Sequence, residues 1–174
     1  DFCLCTPSIA VDCIIELSGS SADTTHAAKR PAKRYVFAER RDGRGLAIVG
    51  GFLRVGESAE DGVRREVKEE TGLELGHIEQ WCVFSAPGRD ERRHTATLVF
   101  VGRARGKPRA GDDARGVRTL TAAEMATSKF AFDHASIVNA YAVEYHGHAP
   151  RVVAGDGPLA ACGRRNARRA LKAG

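Results

Sequence analysis

Residues 50–73 read GGFLRVGESAEDGVRREVKEETGL and carry five glutamates and three arginines. If residues 59–71 are helical, Glu66, Glu69 and Glu70 fall within an arc of ~100°. Like charges at that spacing repel by roughly a few tenths of a kcal/mol per pair, so something positive must stand against them. Arg65, four residues before Glu69, and Lys68 supply part of it. A hard divalent cation is the stronger candidate, because Mg²⁺ takes oxygen ligands and keeps waters for chemistry. Gly50 and Gly51 precede the helix by a short loop and can fold a backbone carbonyl back towards it. A loop carbonyl with helix carboxylates makes a sensible metal cage. Gly62 lies one turn before Glu66 and leaves room above the acids, at a cost of roughly 1 kcal/mol of helix propensity relative to alanine.

The elements that must position these groups can be read from the chain. Ser58 with Asp61 three residues on is a capping-box variant that starts the helix, and Gly72 supplies its left-handed stop. Ala59, Val63 and Val67 form the apolar stripe that docks it. Residues 8–17 place Ile9, Val11, Cys13, Ile15 and Leu17 on one face, the period of two expected of a half-buried strand. Shorter strands are predicted at 35–40 and 46–49, a central strand at 94–104 and its antiparallel neighbour at 78–85. Helices are predicted at 121–126 and 133–145, the second with Asp133 as N-cap. Strands and helices mix without regular βαβ alternation, so the class is α+β.

At 174 residues the chain holds one domain, expected over 1–146, with a long loop at 18–34 and a basic tail at 147–174. The net charge of +5 lies wholly beyond residue 150. The body is formally neutral and lacks a basic stripe with interleaved aromatics, which argues against a nucleic-acid partner. No apolar run approaches the roughly 20 residues of a membrane-spanning helix. Five cysteines without a CxxC pair point to reduced thiols and a cytoplasmic setting, with an organelle as the other option. The chain begins at Asp1, and an upstream leader is a further option.

Gly51, Glu57 and the run Arg65-Glu66-Val67-Lys68-Glu69-Glu70-Thr71-Gly72-Leu73 fill every specified position of GX5EX7REUXEEXGU, and the sequence resembles the Nudix hydrolases. The resemblance covers about residues 8–146. It implies an α/β/α sandwich around a mixed sheet, with residues 59–71 as the catalytic helix. It further implies Mg²⁺, or Mn²⁺ in its place, held by Glu66, Glu70, Glu69 and the carbonyl of Gly50. Gly51, Glu57, Arg65 and Gly72 become structural parts of the box, with Arg65 holding acidic side chains in place. The activity implied is hydrolysis of a pyrophosphate bond in a nucleoside diphosphate derivative, and the assembly implied is a homodimer.

Beyond the box, FSAPGRDERRHTATLVF resembles the SxPxRDxRxH stretch of an ADP-ribose pyrophosphatase branch, with Pro87 fifteen residues past Gly72. Phe52, Pro87 and Arg89 are the candidate substrate contacts, Arg89 through its forked donors. GKPRAGDDARGV resembles the loop from which family members draw a further acid. Asp113 is the candidate base there, with Glu66 as the competing choice, and Gly116 stands where an acid is often found. Phe132, Asp133 and His134 also recur in this branch. Three other readings remain: an 8-oxo-dGTP-type pool cleaner, a ligand-sensing regulator and an RNA-decapping type. The regulator would need a winged-helix segment for which the tail is too short.

Overall fold

The alternating run SIAVDCIIEL is a ten-residue strand, β1 (Ser8–Leu17), at the centre of a mixed sheet. The computed structural model describes residues 6–18, 32–111 and 115–146. In chain order the remaining elements are β2 (Arg34–Glu39), β3 (Leu46–Ala47), β4 (Val49–Phe52), α1 (Ala59–Thr71), β5 (Leu75–Phe84), β6 (Thr95–Ala104), β7 (Gly116–Thr121), α2 (Ala122–Met125) and α3 (His134–His146). The main path of the sheet is β3-β2-β1-β6-β5, with β4 paired to β1 and β7 paired to β2. β1 runs antiparallel to β2 and β4 and parallel to β6.

The two faces of β1 feed two cores. Val11, Cys13 and Ile15 pack with Val49, Phe100 and the Val63–Val67 stripe of α1. Ile14 faces the other way, towards Tyr35, Phe37, Ile48 and the α3 residues Ile137, Val138 and Tyr141. Helices therefore cover both faces, and the class is the expected α/β/α arrangement. On each buried side chain the hydrophobic gain is about 1.5–3 kcal/mol, which is what holds α1 and α3 against the sheet.

α1 has the predicted bounds. Ser58 Oγ accepts from the Asp61 N–H at 3.1 Å, and Gly72 closes the helix at φ 68°. Gly62 serves another purpose than room above the acids: a Cβ there would meet Leu53 Cδ2 at 2.4 Å and Glu57 Oε2 at 3.1 Å. The glycine lets the β4–α1 loop lie on the helix.

Other elements differ from the sequence reading. The strand expected at 46–49 is two strands, and β4 continues through Gly50 and Gly51 because both pair with β1, as Asp12↔Gly50 and Val11↔Gly51. The loop expected over GKPRAGDDARGV reaches residue 117, and the segment from Gly116 to Thr121, for which no strand is expected, forms six register pairs with β2. The Asp133 carboxylate does not cap α3, since Arg89 takes both of its oxygens. Cys82 is disulfide-bonded, so the expectation of reduced thiols fails at that position, while Cys13 is free and buried. Disulfide pairing depends on separation in the fold, which spacing along the chain does not report. No helix among the described residues is long and apolar enough to cross a membrane. The loop expected at 18–34 falls mostly, and Asp113 and the tail wholly, outside the described residues.

Candidate active site

A cleft of about 570 Å³ opens where β1 and β4 meet the start of α3, and its walls include Asp12, Gly50, Gly51, Phe52, Glu70 and Arg89. Of the site residues expected from sequence, this brings together Gly50, Gly51, Phe52, Glu70 and Arg89. Pro87 is not part of the wall. It occupies the second position of a turn closed by Arg89 N–H donating to Ala86 O at 3.3 Å, and Gly88 follows at φ 80°, the arrangement of a type II turn.

The α1 carboxylates divide by partner. Arg65 spends all five of its N–H donors. Its fork grips Glu57 at 2.7 and 2.9 Å, and Nη1 donates to Glu66 at 2.6 Å and to Glu69 at 3.1 Å. The remaining Nη2 donor reaches Phe52 O at 3.2 Å. The Arg65 fork, with the Arg54 N–H, holds Glu57 far below the usual carboxylate range, at about 2. The same acids raise Arg65 still further. Glu69 also accepts from Arg54 and is half exposed.

Glu70 has no such cation. Its Oε2 accepts the Gly50 N–H at 3.3 Å, and burial, with Glu66 and Asp12 nearby, pushes its carboxyl up to about 7. The paired glycines explain how the acids come so close to β4. A Cβ at Gly51 would lie 2.5 Å from Glu66 Oε1, and one at Gly50 would lie 2.6 Å from Asp12 Oδ1. Gly51 admits the Glu66 carboxylate, while Gly50 is demanded first by the β1 backbone, where its Cβ would meet the Val11 carbonyl, and only then by Asp12.

Among the described residues no three acid, histidine or cysteine side chains converge as a ready-made cation site. The donor set nonetheless suits a hard divalent ion. Glu66 and Glu70 are one helical turn apart, their oxygens lie against glycine backbone, and Glu70 is half-buried with no ion-pair partner among the described residues, Arg40 being the cation that acts on it from a distance.

The far wall is basic and aromatic. Arg89 lies in a fork on Asp133 at 2.7 and 2.8 Å with its side chain 7% exposed, so much of its donor capacity is already used. Arg92 is forked on the buried Asp90 and lies 4.8 Å from the Phe132 ring centroid and 5.9 Å from that of Phe52. Arg40 also faces Phe132, at 4.7 Å. Phe132 holds φ 52°, the one non-glycine residue in the left-handed region among those described, a strain that collects at functional sites. His134 is buried, and its Nδ1 accepts the Ile48 N–H at 2.9 Å, which pins α3 to the sheet. Burial drives that ring down to about 4, so it is a neutral structural acceptor.

Sequence reasoning missed Asp12. It is 6% exposed, accepts from Thr97 Oγ1 at 2.6 Å and is raised by burial to about 6. Its place between Val11 and Cys13 puts it on the face opposite the apolar stripe of β1, so the alternation carries no signal for a buried acid.

The profile described as NUDIX domain matches residues 24–141, and the chain belongs to that family. Residues of the chain are 39% identical over 97 positions to the ADP-ribose pyrophosphatase of Methanocaldococcus jannaschii, covering 55% of this chain and 56% of that protein. The chain thus spans about half the length of that relative. A MutT/nudix family protein from Enterococcus faecalis superposes with a TM-score of 0.61 at 29% identity, over 84% of this chain and 66% of the other. The NUDIX domain of Shewanella oneidensis NrtR, solved with ADP ribose, superposes with a TM-score of 0.64 at 20% identity, over 76% of this chain and 84% of the other.

Proposed function

We propose that this chain hydrolyses the pyrophosphate bond of ADP-ribose, giving AMP and ribose 5-phosphate, with Mg²⁺ or Mn²⁺. The observation that carries the reading is Glu70, a half-buried carboxylate with no ion-pair partner among the described residues, at the cleft end of α1. A carboxylate held partly out of water in a cleft, with its carboxyl shifted up, marks a candidate binding or catalytic group. The 39% identity to an ADP-ribose pyrophosphatase supports the substrate.

Glu66 and Glu70, joined by Glu69 and the carbonyl of Gly50, are the residues that would hold the cation. Such an ion supplies charge neutralisation for the diphosphate and lowers the pKa of water. Arg65 keeps Glu57, Glu66 and Glu69 oriented while it offsets their repulsion. The Phe52 and Phe132 rings, with Arg92 beside both, offer faces on which a nucleobase can stack. Arg89 acts through Asp133, shaping that wall, and keeps its remaining donors for a phosphate. Water adds across the bridging P–O bond, and its proton passes to a carboxylate, for which Asp113 and Glu66 are the candidates.

A panel of ADP-ribose, NADH, diadenosine polyphosphates and 8-oxo-dGTP tests this. ADP-ribose is expected to show the highest kcat/KM, and preference for 8-oxo-dGTP would overturn the substrate assignment.

A further inference from the structure

Six acids line the cleft: Asp12, Glu39, Asp42, Glu70, Asp90 and Asp133. Asp42, Asp90 and Asp133 are ion-paired with Arg40, Arg92 and Arg89. Of the other three, Asp12 is the most deeply buried, at 6% exposure. Its surroundings are built for it. Thr97 fixes Oδ2, and Gly50, its register partner on β4, lies so close that a Cβ there would collide first with the Val11 carbonyl and then with Asp12 Oδ1. No hydrogen bond from a described residue reaches Oδ1. A sheet that needed only packing here would carry an apolar side chain, because a buried charge without a cation destabilises the fold.

We propose that Asp12 is a specificity-determining residue that accepts a hydrogen bond from a sugar hydroxyl of a ribonucleotide. The proposal rests on the reading of the cleft as a nucleoside diphosphate site. A carboxylate repels phosphate and accepts O–H and N–H donors, so a substrate must present a neutral donor there. Gly50 lies between the two unpaired acids, pairing with Asp12 while its N–H donates to Glu70. The group at Asp12 is therefore the one next to the diphosphate, and in a nucleotide that group is the sugar. Two residues further along the strands, Ala10 pairs with Phe52, about 7 Å away at the rise of a β-strand. Acids, Asp12 and the aromatic faces thus follow the order phosphate, sugar, base. A site whose acceptor stays unpaired when the hydroxyl is missing discriminates strongly against the analogue.

The test is calorimetric binding of AMP and 2′,3′-dideoxy-AMP in Mg²⁺ to the wild type, Asp12→Ala and Asp12→Asn. The wild type is expected to bind AMP at least about tenfold tighter than the dideoxy compound. Asp12→Ala should bring AMP down to the dideoxy level and leave the latter within about twofold, with an unchanged or higher Tm, as a double-mutant cycle requires. Asp12→Asn, which keeps the shape and one acceptor, should retain part of the preference, and it carries the test if the alanine variant does not fold. An AMP preference that is the same in wild type and variants overturns the inference while leaving ADP-ribose hydrolysis intact. Failure of the wild type to bind AMP overturns the inference, and the reading of the cleft falls with it only where ADP-ribose is not hydrolysed either.

Discussion

Two groups of carboxylates approach the Gly50-Gly51 stretch, and the protein treats them in opposite ways. The outer group, Glu57, Glu66 and Glu69, is gathered by one guanidinium whose every donor is used. Arg65 turns a repulsive helix face into a held one. The inner pair, Asp12 and Glu70, lies deeper, receives only a threonine hydroxyl and a backbone N–H, and is pushed up to about 6 and about 7. The difference separates acids whose charge Arg65 offsets from acids that have no ion-pair partner among the described residues. Charge alone does not make that distinction; the partner does.

The largest effect is expected from breaking the inner pair at the helix. Glu70→Gln should lower kcat/KM for ADP-ribose by on the order of a thousandfold, read by product release. In metal-free buffer at pH 8 the same variant should be more stable by ~2 kcal/mol in urea denaturation, because the neutral amide keeps the Gly50 contact without the buried charge.

The two groups should also differ in the sign of their pH dependence. The raised carboxyl of Asp12 contributes most favourably below its unfolded value of 3.8, and that contribution is lost as pH rises through about 6. Asp12→Asn should therefore gain up to ~3 kcal/mol over the wild type at pH 8 and little at pH 3.5, by urea denaturation at both values. Glu57, depressed to about 2, stabilises above its unfolded value and loses that contribution as pH falls towards 2. His134 adds a slope of its own between pH 6.5 and 4, losing stability as the pH falls, so the Asp12 contribution is the difference between wild type and variant.

Within the outer group, Arg65→Ala should lower Tm by roughly 5 °C. Arg65→Lys should recover only part of it, because an ammonium cannot reproduce the fork on Glu57. A rise in Tm for Arg65→Ala would erase the contrast between the groups. The smallest effect is expected at the cleft wall. Phe132→Asn, which tolerates the left-handed backbone, should raise KM by about threefold and leave kcat unchanged.

The helix was legible because its instructions are local. Ser58, Gly72 and the Val63–Val67 stripe sit within one segment, and so do the acids that Arg65 collects. Asp12 was not, because an odd residue between Val11 and Cys13 reads as facing solvent. That face is covered too, Ile14 packing towards α3 and Asp12 lying buried at the base of the cleft. Arg89 and Asp133 are 44 residues apart, and no spacing rule joins them. β7 exists through its ladder with β2 rather than through its own composition. The sequence places Gly50 and Gly51 in a loop supplying a carbonyl, whereas pairing with β1 makes them a strand, Gly50 pressed on the Val11 carbonyl and Gly51 leaving room for the Glu66 carboxylate.

The account is tested most directly by following AMP and ribose 5-phosphate release from ADP-ribose in Mg²⁺, with wild type and Glu70→Gln side by side. The expected result is equimolar products from the wild type, abolished by a chelator and by the substitution. Full turnover in the chelator, or equal turnover by the two proteins, would contradict it.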